Sequence, residues 1–170
     1  MIVIETKQLI LRQLEERDDA HLFPIFSDPM TMSFWPVPFS LDATKQWINR
    51  SRTSYREHGF GRYAVVLRTD GQVIGDCGIV RTDIDGQPEH DLGYIIFHAF
   101  WGRGYATEAA EACKTYAFDT LKLERLCANM PADHVASRRV AEHIGMKFEK
   151  EFYNKKNRNI LTYLYTVEQT

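Results

Sequence analysis

Leu92-Gly93-Tyr94-Ile95-Ile96-Phe97-His98-Ala99-Phe100-Trp101-Gly102-Arg103-Gly104-Tyr105-Ala106-Thr107-Glu108-Ala109 joins an apolar, strand-like run, Leu92 to Phe97, to a long amphipathic helix pattern. The helix is expected over about Tyr105 to Leu121, with Ala106, Ala109, Ala110, Cys113, Ala117 and Leu121 as its buried stripe. The first amides of a helix have no internal partners and carry the positive end of the helix dipole, so the junction is a natural anion site. Gly102 and Gly104 allow a ligand close to the backbone, and Arg103 adds a planar cation suited to phosphate. A pyrophosphate-bearing ligand fits these features; so does a tight strand-to-helix turn with no ligand at all. A dinucleotide fingerprint needs a third small residue where Thr107 stands, and a P-loop needs a Gly-Lys-Ser/Thr that is absent.

Outward from this junction the chain reads as alternating strands and helices. A strand over 9–14 and a short helix over about 18–27 precede an irregular loop at 29–40, which holds three prolines with Phe34, Trp35 and Phe39. A helix follows over 41–58, capped by Ser40 and stopped by Gly59. Strands over 63–67 and 73–81 flank an Asp70-Gly71 turn, and a polar turn at 83–88 leads to a strand over 91–97. After the long helix come a strand at 125–130, a helix at 135–144 ending at Gly145, and strands at 148–153 and 160–167. The passage from the Leu92 strand through the long helix to the Arg125 strand predicts a crossover unit.

Composition narrows the classes. The 170 residues suffice for one domain, 1–170, and 44% apolar with 26% charged residues is ordinary for a soluble globular protein. A net charge of −2 gives no electrostatic case for nucleic acid. Cys77, Cys113 and Cys127 form no Cys-x-x-Cys and read as free thiols of a reducing compartment; the six histidines show no metal-ligand spacing, so no metal is expected. The first residues lack the basic start and apolar core of a signal peptide, and no apolar run approaches the ~20 residues that span a bilayer. A cytoplasmic location without membrane attachment is the expectation, as a monomer or homodimer.

The runs Asp91-Leu92-Gly93-Tyr94-Ile95-Ile96 and Trp101-Gly102-Arg103-Gly104-Tyr105-Ala106-Thr107-Glu108-Ala109, followed by Ser137-Arg138-Arg139-Val140-Ala141-Glu142-His143-Ile144-Gly145-Met146-Lys147-Phe148, resemble the coenzyme A-binding core of GNAT-type N-acetyltransferases. Both matches stand in the family's order and separation. The nearest branch is the one that includes acetyltransferases of ribosomal-protein N-termini. The resemblance implies the acyl-CoA N-acyltransferase fold, an α/β architecture with a central mixed, twisted sheet flanked by helices. It also implies transfer of an acetyl group from acetyl-CoA to a primary amine, a protein N-terminus or a small molecule, by direct attack in a ternary complex. A non-catalytic coenzyme A-binding or sensing module is the alternative.

The resemblance further implies roles for particular residues. Ile96, Phe97 and His98 would pair with the pantetheine arm, although Ile96 and Phe97 also suit the core, and His98 replaces a frequent proline. Trp101, Gly102, Arg103, Gly104, Tyr105, Ala106 and Thr107 would hold the pyrophosphate, Thr107 being equally suited to capping the helix. His134 stands where asparagine commonly contacts pantetheine. Ser137 would face the leaving thiolate or else cap its helix. Asp91 is the candidate base or else a solvated strand-end charge, with Glu89, His90 and Asp76 as other carboxylates and imidazole nearby. Phe34, Trp35 and Tyr153 would line the acceptor groove, Phe34 and Trp35 serving otherwise as core lids. The basic hairpin at 155–158 reads as a solvated turn or as an attractor for an acidic acceptor.

Overall fold

A computed structural model describes all 170 residues. Strands β1 (Ile2–Glu5) and β2 (Leu9–Gln13) lead through a single 3-10 turn into α1 (Asp19–Phe26) and then α2 (Leu41–His58). Strands β3 (Arg62–Leu67), β4 (Val73–Ile84) and β5 (Gln87–Ile96) precede α3 (Tyr105–Asp119). Strand β6 (Arg125–Pro131), α4 (Val135–His143), β7 (Lys147–Asn154) and β8 (Ile160–Glu168) complete the chain. All eight strands form one mixed sheet in the order β1-β2-β3-β4-β5-β6-β8-β7. The mixed α/β class and the crossover through α3 agree with the sequence reading.

The differences have local causes. Strand β1 was not anticipated: Ile2-Val3-Ile4 is too short to show alternation, and it is fixed by antiparallel pairing with β2 at the sheet edge. The β4–β5 hairpin is longer than its apolar residues suggest, because pairing continues to Ile84↔Gln87 and the turn shrinks to Asp85-Gly86. Both turn residues have positive φ, 50° and 82°, as a two-residue hairpin requires. Helix α2 begins and ends where its sequence signals lie: the Ser40 hydroxyl accepts from the Ala43 amide at 3.1 Å, and Gly59 closes it at φ +82°.

Alternation along the strands divides the core between the two faces of the sheet. Tyr63, Val65, Cys77, Ile79, Leu92 and Ile96 pack toward α3 and α4. Ala64, Val66 and Ile95 pack toward α1 and α2 with Leu22, Phe26 and Ile48. Each large apolar side chain buried this way contributes about 1.5–3 kcal/mol relative to exposure. All three cysteines are buried and free. No helix is long and apolar enough to cross a membrane.

One seam in this sheet is nearly unpaired. Strand β6 is paired to β8 along its whole length, from Arg125↔Glu168 to Pro131↔Thr162. Toward β5 it makes one parallel register pair, Asp91↔Cys127, after which the two strands diverge.

Candidate active site

The divergence of β5 from β6 opens a wedge whose walls follow from strand geometry. The Phe97 amide donates to the Ile74 carbonyl at 2.9 Å, on the β4 side. Successive backbone groups of a strand point to opposite sides, so the amides of Ile96 and Tyr94 point into the wedge. At its far end the Trp101 indole donates to the Ile96 carbonyl at 2.7 Å. The His98 amide donates to the Thr31 hydroxyl at 3.0 Å, and its Nδ1 lies 2.7 Å from an Asp28 carboxylate oxygen. Of Ile96, Phe97 and His98, only Ile96 thus aims its amide into the wedge, and it is a core residue as well.

Beyond Trp101, Gly102 and Gly104 adopt φ +78° and +80°, and Gly104 is the residue preceding α3. This left-handed geometry costs a residue with a side chain roughly 1–2 kcal/mol. A Cβ on either glycine would meet nothing within 4 Å, so the space above the loop is open. No amide from Gly102 to Thr107 donates to another group of the protein. Thr107 is the third residue of α3 and its hydroxyl has no partner, so it does not cap the helix. Tyr105 and Ala106 are half-buried against the core beneath the loop. The Arg103 guanidinium lies 5.4 Å from the Phe100 ring centre. Glu108, the acid of this first turn, is tied away toward β2 by Thr6 and Gln8. Burial raises its pKa, but those hydrogen bonds win and hold it below the usual range.

A cleft of about 670 Å³ runs through the fork. Asp91 sits at the crotch, in the last pair that β5 makes with β6. The sequence reading placed it at the opening of a strand, whereas β5 begins four residues earlier at Gln87, and Asp91 lies half-buried within it. Burial pushes its pKa up to about 7 against the opposing hydrogen bond from Asn129 Nδ2, at 3.1 Å, and the charge of Arg62. The other candidate bases stand outside the cleft. Asp76 is fully buried and paired with Arg62, Glu89 is paired with Arg125, and the His90 ring packs on Phe60 with its pKa lowered by burial and by Arg81.

On the opposite face of β5, the Ser137 hydroxyl donates to Tyr94 Oη at 3.2 Å, and Tyr94 Oη donates to the Ser137 carbonyl at 2.8 Å. Ser137 is the third residue of α4, whose cap position belongs to His134, so Ser137 is a cleft residue and not a cap. Burial raises the Tyr94 pKa, keeping the phenol protonated. His134 stacks on Phe34 at 3.9 Å and 8°, and burial lowers its pKa to about 4.

Phe34 and Trp35 both line the cleft, Trp35 from within an aromatic cluster with Phe39 and Trp47. Tyr153 is 67% exposed and faces an adjoining hollow beside the Asp85-Gly86 turn, which shares Asp91, Asn129 and Lys156 with the cleft. In the basic hairpin, Lys156 Nζ donates to the Thr82 hydroxyl at 3.2 Å and to the Asp83 carbonyl, spanning from the β7–β8 turn to β4. Sequence reasoning missed Tyr94, Asn129 and Arg62. The opposite charges of Arg62 and Asp76, in strands otherwise apolar, were the available signal for Arg62.

The sequence model of the acetyltransferase (GNAT) domain matches residues 8–147. The uncharacterized protein YkkB of Bacillus subtilis is 34% identical over 159 residues, which is 93% of this chain and 92% of YkkB. The crystal structure of an acetyltransferase from Agrobacterium tumefaciens superposes with a TM-score of 0.85 at 27% identity, over 99% of this chain and 95% of that one. RimL, a ribosomal L7/L12 alpha-N-protein acetyltransferase solved in complex with coenzyme A, shares the fold at 16% identity, with a TM-score of 0.80 over 99% and 98% of the two chains.

Proposed function

The chain belongs to the GNAT acetyltransferase family, and on that premise we propose that it moves an acetyl group from acetyl-CoA to a primary amine within one ternary complex, as a single cytoplasmic domain over residues 1–170. The observation that carries this reading is the fork between β5 and β6, with Asp91 at its crotch and the partner-free amides of Gly102–Thr107 at its open end.

In this reading the amides from Gly102 to Thr107, with Arg103, bind the pyrophosphate of the coenzyme. The outward amides of Tyr94 and Ile96 pair with the pantetheine arm and donate to the thioester oxygen as it gains charge. Losing one such donor costs an acyl-transfer site about 2.7–4 kcal/mol. The amine enters on the α1/α2 face and attacks the carbonyl carbon; a C–N bond forms and the C–S bond breaks. Asp91, held near neutrality, takes the amine proton through a water. Ser137, on the other face, turns its hydroxyl from Tyr94 Oη to donate to the departing thiolate, while Tyr94 stays bound to the Ser137 carbonyl. Because the cysteines are buried, none is placed as a covalent relay. The two reactants therefore approach from opposite sides of the sheet.

A screen of primary amines following free thiol release from acetyl-CoA tests this. Amine-dependent release above the hydrolysis background is expected. Saturable acetyl-CoA binding without amine-dependent release would instead favour the coenzyme-sensing module.

A further inference from the structure

Arg62 and Gly93 occupy one space on the α1/α2 face of the sheet. A Cβ on Gly93 would collide with Nη1 of Arg62, so Nη1 fills the space over the β5 backbone there. Asp76 holds the guanidinium from the other edge, with Nε–Oδ2 at 3.0 Å and Nη2–Oδ1 at 2.7 Å. The Trp47 indole donates to the same carboxylate at 2.8 Å, and its ring centre is 5.1 Å from the Arg62 Cζ. Arg62 is only 5% exposed, yet it lines the cleft and its Nη1 donates to no group of the protein. Ser51 of α2 lines the cleft beside it, buried, with a hydroxyl that also has no partner.

Neither atom is sealed from solvent: the one buried side-chain donor left without a partner is Arg138 Nε, so Nη1 of Arg62 and the Ser51 hydroxyl are open to a ligand in the cleft. The guanidinium cannot swing away, since Asp76, Trp47 and the Gly93 backbone fix it. It lies on the face that also carries Asp91, two residues back along β5, or about 7 Å at the rise of a strand. With Arg62 balanced by Asp76, the remaining charges of the cleft are Arg50 and Lys156 against a single carboxylate, Asp91. A polycationic amine would meet two like charges there.

Resting on the acetyl-transfer reading above, we propose that the acceptor is a small amine that itself carries a carboxylate, and that Arg62 Nη1 and the Ser51 hydroxyl bind that carboxylate while the amine faces Asp91. The site would select amino acids or similar amino-carboxylates and reject polyamines.

The test measures kcat/KM by thiol release for matched pairs, each amino acid beside its own carboxamide, with spermidine and an amidated tetrapeptide as further acceptors. At least one amino acid is expected to exceed its carboxamide by about tenfold or more, because a guanidinium binds a carboxylate more strongly than the neutral carbonyl of an amide. Spermidine should be the poorest. Ser51→Ala should lower the rate for the carboxylate more than for the carboxamide, so that the ratio within each pair narrows. Arg62→Lys, which keeps a cation against Asp76 but removes the fork, should erase the preference. Should that variant fail to fold, Ser51→Ala and the matched pairs decide alone. Carboxamides, spermidine or the tetrapeptide transferred as well as amino acids would overturn the assignment while leaving acetyl transfer standing. No release with any amine would overturn both.

Discussion

At Asp91, burial outweighs the hydrogen bond from Asn129 and the field of Arg62, and the carboxyl titrates at about 7. Its unfolded value is near 3.9, so between about pH 4 and 7 the folded state binds more protons than the unfolded one, and stability falls as pH rises. Asp91→Asn should therefore gain thermal stability relative to the parent as pH rises through that window, with a constant margin above it. The rate should behave differently. Below pH 7 the parent's own base is protonated, and above the acceptor amine's own pKa, about 8 for a peptide α-amine and higher for a free amino acid, the amine deprotonates unaided. The deficit of the variant should be greatest between those limits, as paired pH–rate profiles on one acceptor would show. Profiles offset by a constant factor would mean that Asp91 positions substrate and takes no proton. The sequence could name this carboxylate but not its burial, which depends on how far the β4–β5 hairpin extends. Nor could it name Tyr94 as the partner of Ser137, since that contact joins β5 to α4 across 43 positions.

Among the elements, the turn into α3 is where sequence and structure agree most closely. Two glycines, an arginine and a helix start are contiguous, so the open amides are a local consequence of local residues. Strand β1 and the outer half of the β4–β5 hairpin were illegible because pairing partners, not hydrophobic periodicity, hold them in place. Gly104→Val places a β-branched side chain in the open space over the helix start, at a φ that it tolerates poorly. Acetyl-CoA affinity should fall by about tenfold or more, and stability by roughly 1–2 kcal/mol, with the fold retained. Calorimetric titration of the folded variant reads the first quantity and thermal melting the second. An unchanged affinity would detach this loop from coenzyme binding.

Across the whole molecule, the segment between α1 and α2 arches over the cleft and is pinned on three sides. The Phe34 ring stacks on His134 at the start of α4, the Phe34 carbonyl accepts from Asn157 Nδ2 at 2.9 Å, and Asp28 holds His98. None of these contacts was visible in the sequence, because each joins residues 70 or more positions apart. The loop's aromatic and proline content marked it as unusual without saying what it covers. Asn157→Ala should free the arch on the acceptor side. The acceptor KM should rise by about two- to tenfold, in keeping with 0.5–1.5 kcal/mol for one hydrogen bond, while the KM for acetyl-CoA changes little. Amide exchange over residues 31–39 should quicken in parallel. Equal shifts in both KM values would assign the arch to the fold as a whole.

Gly93 looks in the sequence like a concession to backbone freedom. In the folded chain its missing side chain is supplied by Arg62, 31 positions away, and one volume is shared by two codons. Their histories are therefore joined. A lineage that gains any side chain at 93 must first surrender arginine at 62, leave Asp76 without its counter-charge, and replace that carboxylate too. Change in what this cleft accepts should come in correlated jumps at positions 62, 76 and 93, with few viable intermediates between them.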